Sequence, residues 1–71
     1  ELTPREFVLL LALVRARGLL LSREALYERV WGLDSNAGPR TVDIHIHRLR
    51  KKLHWDHKIV TVPKVGYKLL P

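Results

Sequence analysis

The side chains in this 71-residue chain that could serve catalysis or metal binding are four histidines: His45, His47, His54 and His57. His45 and His47 are about 200° apart on a helix, so they cannot hold the same metal ion. His54 and His57 could share an ion, but no third ligand stands in an obvious place. Nor does any Ser, Thr or His form a recognisable nucleophile–base pattern. The sequence therefore predicts no enzyme, no metal site and no cofactor.

The basic side chains point to a different chemistry, the binding of a polyanion. The segment RTVDIHIHRLRKKL, residues 40–53, carries five Arg or Lys residues and one carboxylate. Residues 1–39 are balanced in charge, so the whole net charge of +6 lies in residues 40–71. So dense a basic segment implies a partner such as nucleic acid. A solvated basic face that keeps the domain soluble is the alternative.

Helical periodicity predicts where this charge is displayed. Val42, Ile46, Leu49 and Leu53 recur at helical spacing and form a narrow stripe that faces a core. Ile44 then points outward among the basic residues. One exposed apolar side chain is common, but here it could also contact a thymine methyl group in a DNA major groove. Four polar residues lie broadly opposite the stripe: Arg40, His47, Arg48 and Lys51. One flank carries Thr41 and Lys52, and the other carries Arg50.

The beginning of the chain has the signals of a first helix. Thr3 is a suitable N-cap, Pro4 suits the first helical position, and Glu6 completes a capping box. The helix is expected to run to about Arg17, with Gly18 as its stop.

This first helix is apolar on nearly every side. One stripe is expected from Phe7, Leu10, Leu11 and Val14, but further apolar residues lie outside it: Val8, Leu9, Ala12 and Leu13. Such a helix is normally covered on more than one face. We therefore expect an upstream segment or a partner to cover the apolar surplus.

The middle of the chain predicts a strand, a helix and a loop. LLLS forms a brief strand, and Ser22 caps a second helix over residues 23–31 with Leu26 and Val30 facing inward. GLDSNAGP is rich in turn formers and predicts a loop. Pro39 then opens the third helix.

After HWDH the period changes to two, which predicts a C-terminal hairpin. KIVTV and GYKLL are runs of strand length separated by PKV, and Lys64 lies near the tip. Gly66 is expected to supply a positive φ angle. Three helices, a brief strand and a hairpin make a mostly α fold with a small β component, the winged helix-turn-helix.

Four segments together resemble the C-terminal effector domain of OmpR/PhoB-type response regulators: LTPREF, LSREALYERVWG, RTVDIHIHRLRKKL and TVPKVGYKL. The resemblance covers essentially the whole chain. It implies sequence-specific binding of double-stranded DNA by the output domain of a two-component regulator of transcription. The recognition helix, residues 39–53, would enter the major groove, and the wing, residues 58–70, would reach the minor groove.

The resemblance also implies how the domain is built and which partners it meets. Residues 1–71 would be one effector domain of a longer cytoplasmic regulator, without the family's N-terminal sheet and receiver domain. Two copies would bind direct repeats in tandem on the nucleoid, and loop 33–38 would contact RNA polymerase.

Site roles follow from the resemblance and from charge. The resemblance places these residues at or near DNA: Trp31, Arg40, Thr41, Ile44, His45, His47, Arg48, Arg50, Thr61 and Tyr67. Charge adds Lys51, Lys52 and Lys64 as phosphate contacts, whereas Lys68 could equally be a solvated strand residue. The family often has Arg and Gly where this chain has Pro63 and Lys64, so its usual minor-groove arginine is absent.

A winged-helix protein-interaction module without DNA binding is the alternative function. Such a module has little reason to keep Arg40, Arg48, Arg50, Lys51 and Lys52 together. Binding to an anionic membrane is disfavoured, because no amphipathic segment places large apolar groups beside the cations.

Overall fold

The computed structural model describes residues 1–32 and 36–71, which form three helices and a three-stranded antiparallel sheet. The helices and strands, in chain order, are α1 (Pro4–Arg15), β1 (Leu20–Ser22), α2 (Arg23–Trp31), α3 (Arg40–Leu53), β2 (Ile59–Val62) and β3 (Gly66–Leu69). The predicted winged helix-turn-helix is confirmed, with β2 and β3 as the wing. We call these two strands and the turn that joins them the wing.

The predicted helix caps form. The Thr3 side chain accepts a hydrogen bond from the Glu6 N–H at 3.2 Å, and the Glu6 carboxylate accepts one from the Thr3 N–H at 2.9 Å. Ser22 accepts a hydrogen bond from the Ala25 N–H at the start of α2. At its C-terminal end α1 stops at Arg15, two residues earlier than expected, because residues 16–18 form a turn.

The sheet has the strand order β1-β3-β2, so β3 pairs with both β1 and β2. The sequence predicted the three strands but not that β1 joins the wing hairpin. Gly66 lies opposite Ser22 and Val62, and a Cβ at this position would lie 1.9 Å from the Leu21 carbonyl oxygen. Glycine is therefore required for the close approach of β1 to β3. The predicted positive φ angle at Gly66 is wrong: in this turn it falls on Lys64, at 66°.

The core forms where the three helices and the sheet meet. The inward faces predicted for α2 and α3 are confirmed, since Leu26, Val30, Val42, Ile46 and Leu49 are all buried. The other buried apolar residues come from α1, the sheet and the turn after α1: Leu9, Ala12, Leu13, Ala16, Leu21, Ile59, Tyr67 and Leu69.

The apolar stripe predicted for α1 is wrong. Leu9 and Leu13 face the core, whereas Phe7 is 55% exposed and Val14 is 42% exposed. An α-helix that is apolar on all sides can present either face, so its own periodicity does not fix which side is buried. The apolar surplus therefore lies around Phe7, Val8 and Val14 and not at Leu9, Ala12 and Leu13.

Candidate nucleic-acid interface

Helix α3 has a buried side and an exposed side. Val42, Ile46 and Leu49 are at most 1% exposed and hold the helix against the core. Ile44, two residues after Val42, is 50% exposed. The predicted outward position of Ile44 is therefore confirmed.

Five residues form what we call the open face of α3: Arg40, Ile44, His47, Arg48 and Lys51. At ~100° per residue they lie within about 100° of one another around the helix axis, opposite the buried stripe. All five are exposed. Across residues 1–32 and 36–71, the side chains of His47, Arg48 and Lys51 make no hydrogen bond or ion pair. The positive charges of Arg48 and Lys51 are therefore available to an external partner.

On one flank of α3, Lys52 is engaged within the chain. Its ammonium nitrogen lies 2.7 Å from a carboxylate oxygen of Glu6, whose side chain is only 1% exposed. The hydrogen bond from Lys52 and the one from the Thr3 N–H hold the pKa of Glu6 below its ordinary value, against the effect of burial. Lys52 was predicted to contact phosphate, but in the structure it joins the end of α3 to the start of α1.

On the opposite flank, Arg50 reaches the wing. Its Nε and Nη2 atoms donate hydrogen bonds to the Ile59 carbonyl oxygen at 2.9 and 2.6 Å. Nη2 also donates to the Thr61 hydroxyl at 2.6 Å. These N–H groups of the Arg50 guanidinium therefore bind strand β2.

Asp43 lies on the same flank and connects α2, α3 and β3. One of its carboxylate oxygens accepts hydrogen bonds from Arg23 Nε at 2.7 Å and from the Tyr67 hydroxyl. Burial alone would raise the pKa of Asp43, but these two hydrogen bonds and the charges of Arg23 and Arg40 hold it below the ordinary value. At the helical spacing of three or four residues, the sequence predicts Arg40 or His47 as the partner of Asp43. That prediction is wrong: neither residue pairs with Asp43 in the described part of the chain, and Arg40 acts on it only through its charge.

Two wing residues predicted near phosphate have different surroundings. Thr61 is exposed, at the edge of the sheet, and Tyr67 is 4% exposed with its hydroxyl turned toward Asp43. Burial and the neighbouring Asp43 carboxylate raise the pKa of Tyr67, so its hydroxyl stays protonated as a donor at neutral pH. Lys64 is exposed at the wing tip.

The end of α2 meets the first half of α3 through aromatic rings. Trp31 stacks on Tyr27, with 5.7 Å between the ring centroids. Trp31 and His45 make an edge-to-face contact, with 5.0 Å between their ring centroids. His45 Nδ1 lies 2.9 Å from the Thr41 carbonyl oxygen. Because a carbonyl can only accept, this hydrogen bond requires the proton on Nδ1, and neutral His45 then keeps Nε2 as an acceptor.

Two contacts are not predicted by the sequence: that of Arg23 with Asp43 and that of Glu6 with Lys52. Arg23 is 20 positions from Asp43, and Glu6 is 46 positions from Lys52. Glu6 was recognised only as half of a capping box. No local spacing signals either contact, since both form only when the helices pack together.

Part of the predicted polymerase-contacting loop, residues 33–35, lies outside the described residues. At its end, the Gly38 N–H donates a hydrogen bond to the Tyr27 hydroxyl at 2.9 Å. In the described ranges no helix is long and apolar enough to cross a membrane. In the same part of the chain no three His, Cys, Asp or Glu side chains are grouped so that they could hold a metal ion.

Comparison with known families and sequences identifies close similarities. The family model for "Transcriptional regulatory protein, C terminal" matches residues 1–69. The uncharacterized transcriptional regulatory protein YclJ of Bacillus subtilis is 52% identical over 70 residues, which is 96% of this chain and 31% of that protein. The alkaline phosphatase synthesis transcriptional regulatory protein PhoP of the same organism is 45% identical, over 97% of this chain and 30% of PhoP. The chain thus spans under a third of these relatives.

Solved structures show the same fold. The DNA-binding domain of Bacillus subtilis CssR has a TM-score of 0.88 and 37% identity, covering 99% of this chain and 78% of that one. The Klebsiella pneumoniae RstA DNA-binding domain, solved in complex with the RstA box, has a TM-score of 0.83 and 34% identity. That match covers 100% of this chain and 74% of the RstA chain.

Proposed function

Because the chain belongs to the family of C-terminal domains of transcriptional regulatory proteins, the effector domains of OmpR/PhoB-type response regulators, we propose that it binds double-stranded DNA in a sequence-specific manner. In this proposal it is the non-catalytic output domain of a longer two-component regulator and controls transcription. It would act in the cytoplasm, on the nucleoid when bound.

The observation that carries this proposal is the open face of α3. A helix of this width fits a B-DNA major groove, and the open face presents Arg48 and Lys51 without partners among the described residues. Arg48 would read a guanine through a bidentate hydrogen bond, and Ile44 would contact a thymine methyl group. Arg40 and Lys51 would neutralise phosphates, which supplies affinity without sequence preference.

The remaining site residues are proposed in supporting positions. Lys64 would contact phosphate at the minor groove from the wing tip, and His47 would lie over the groove beside Arg48. Three residues at the junction of α2 and α3 would approach the backbone or the edge of the groove: Trp31, Thr41 and His45. Thr61 would lie beside the phosphates next to the wing.

Two further partners are part of the proposal. RNA polymerase would bind the loop over residues 33–38, and a second copy of the domain would bind the adjacent half of a direct repeat. Support for DNA itself is stronger, because related domains such as that of RstA have been solved with DNA.

Selection of bound duplexes from a random pool tests the function. The expected result is an enriched sequence motif, repeated in tandem if two copies bind together. No enrichment at any salt concentration would contradict sequence-specific DNA binding, and no retention of any duplex would favour the protein-interaction alternative.

Arg48→Ala tests how sequence is read. It should reduce the preference for the selected duplex over a scrambled one by roughly 5- to 150-fold, as expected for loss of a bidentate base contact of about 1–3 kcal/mol. Arg29→Ala is the matched control, because Arg29 is an exposed cation in the cleft between α1 and α2. Equal discrimination by both variants would contradict the role of Arg48.

A further inference from the structure

Asp43 and Arg50 connect α3 to the two strands of the wing. Asp43 accepts a hydrogen bond from the hydroxyl of Tyr67, in β3. Arg50 donates to the Ile59 carbonyl and the Thr61 hydroxyl, in β2. Each strand of the wing is therefore held by its own side chain from the recognition helix. We call Asp43, Arg50 and Tyr67 the α3–wing clamp.

The contact from Arg50 uses an acceptor on the outer edge of the sheet. The Lys58 carbonyl accepts a hydrogen bond from the Leu70 N–H, so alternation along the strand turns the backbone groups of Ile59 away from β3. The Ile59 N–H accordingly donates to the Trp55 carbonyl. Two N–H groups of a planar guanidinium meet the Ile59 carbonyl, which fixes the direction of approach more strictly than one ammonium would.

The Tyr67 ring lies within the same group of charges. The guanidinium carbons of Arg23 and Arg50 both lie 5.7 Å from its ring centroid. These distances suit cation–π attraction. Arg23 also donates to Asp43, so α2 supports the clamp from the side. A rotation of the wing relative to α3 would break hydrogen bonds and ring contacts together.

Resting on the proposed DNA binding, we propose that Asp43 and Arg50 are positioning residues for that binding. They act through Tyr67 and β2 to hold Lys64, at the wing tip, in a fixed relation to the open face of α3. Contacts in the major groove and contacts of the wing can then form on one duplex at the same time. Because the wing is already ordered before binding, binding does not incur the entropy cost of ordering it. Arg50 thus serves DNA binding from inside the domain and not through its own contact with phosphate.

A double-mutant cycle separates positioning from direct contact. Arg50→Lys keeps the positive charge but removes the planar fork. In the wild type, Lys64→Ala should weaken binding of the selected duplex about threefold, as for one exposed charge pair. In the Arg50→Lys background the same substitution should have almost no effect, because the wing no longer reaches the duplex in register. An equal loss in both backgrounds would overturn the proposal.

Amide hydrogen exchange of the DNA-free domain gives a second readout. Arg50→Lys should accelerate exchange at amides of residues 59–69 and leave those of α1 unchanged. Equal acceleration in both regions, or none, would overturn the positioning role. Because this measurement needs no DNA, it decides whether Arg50 orders the wing even if the wild type binds no duplex, a result that would contradict the proposed function. If Arg50→Lys does not fold, Tyr67→Phe removes only the hydroxyl and serves as the second variant.

Discussion

The open face of α3 and the two flanks of the same helix carry similar side chains but use them differently. Lys51, on the open face, is exposed and makes no ion pair with residues 1–32 or 36–71, whereas Lys52, the next residue, pairs with buried Glu6 at 2.7 Å. Arg48 and Arg50 show the same contrast, since only Arg50 donates into the wing. A count of cations on a recognition helix therefore overestimates the number that can meet phosphates, because part of the charge builds the domain.

Replacement of Lys51 and of Lys52 tests this difference, and it has the largest expected effect on stability among the predictions. Lys52→Met should lower the free energy of unfolding by about 2 kcal/mol, because it leaves the buried Glu6 carboxylate without its charged hydrogen-bond donor. For a domain of this size the melting temperature should fall by roughly 10 °C. Thermal and urea unfolding followed by circular dichroism measure both quantities.

Lys51→Met is the matched control for Lys52→Met, since it removes the same charge one residue earlier. It should change the free energy of unfolding by no more than about 0.5 kcal/mol, as surface substitutions usually do. If both variants lost the same stability, the distinction between the open face and the flanks would be wrong. Glu6→Gln combined with Lys52→Met should lose less than the sum of the two single variants, because the two residues interact directly.

Low pH should lower the stability of the domain through Glu6 and Asp43, the two carboxylates bound at the flanks of α3. The pKa values of Glu6 and Asp43 are lower in the folded domain than their ordinary values of 4.5 and 3.8. Both carboxylates therefore contribute stability that is fully present above those ordinary values and is lost as the pH falls through the lower folded values. Urea unfolding between pH 7 and pH 2 should show the loss beginning below about pH 4.5, with a shallower decline in Glu6→Gln. Equal declines in the two proteins would contradict the role of Glu6.

Substitutions of Lys64 at the wing tip should have the smallest effect on stability. They should also separate the effect of backbone strain from the effect of DNA binding. Lys64 has a φ angle of 66°, which residues other than glycine rarely adopt. Lys64→Gly should raise the free energy of unfolding by about 0.5 kcal/mol, because relief of the backbone strain outweighs the greater entropy of unfolded glycine. Lys64→Ala keeps the strain, so its stability should match the wild type. Both variants lose the same ammonium group and should weaken DNA binding equally. Unequal affinities would show that the turn conformation also matters for binding.

The elements that the sequence predicted correctly are those fixed by local signals. The stripe through Val42, Ile46 and Leu49 determines both the burial of α3 and the exposure of Ile44, because one helical period sets both. Caps at Thr3 and Ser22 likewise act within a few residues. These signals were sufficient for the fold, for the open face and for the resemblance that the family match bears out.

What the sequence did not predict depends on contacts between distant residues. The face that α1 buries is set by packing on the other helices, because its own apolar residues surround the axis. The pairing of Lys52 with Glu6 spans 46 positions, and Gly66 is required by β1, whose paired residue Ser22 is far away in the chain. Periodicity separates apolar from polar positions, but it cannot tell a cation that meets a partner from one that holds the fold together.

The salt dependence of duplex binding tests the open face most directly. Affinity for the selected duplex would be measured from low to moderate salt for the wild type, Lys51→Met and Arg29→Met. Each phosphate contact contributes about 0.9 to the slope of log affinity against log salt concentration. We predict that Lys51→Met lowers the slope by about 0.9 and that Arg29→Met leaves it unchanged. Equal slopes for all three proteins would contradict docking of the open face on DNA.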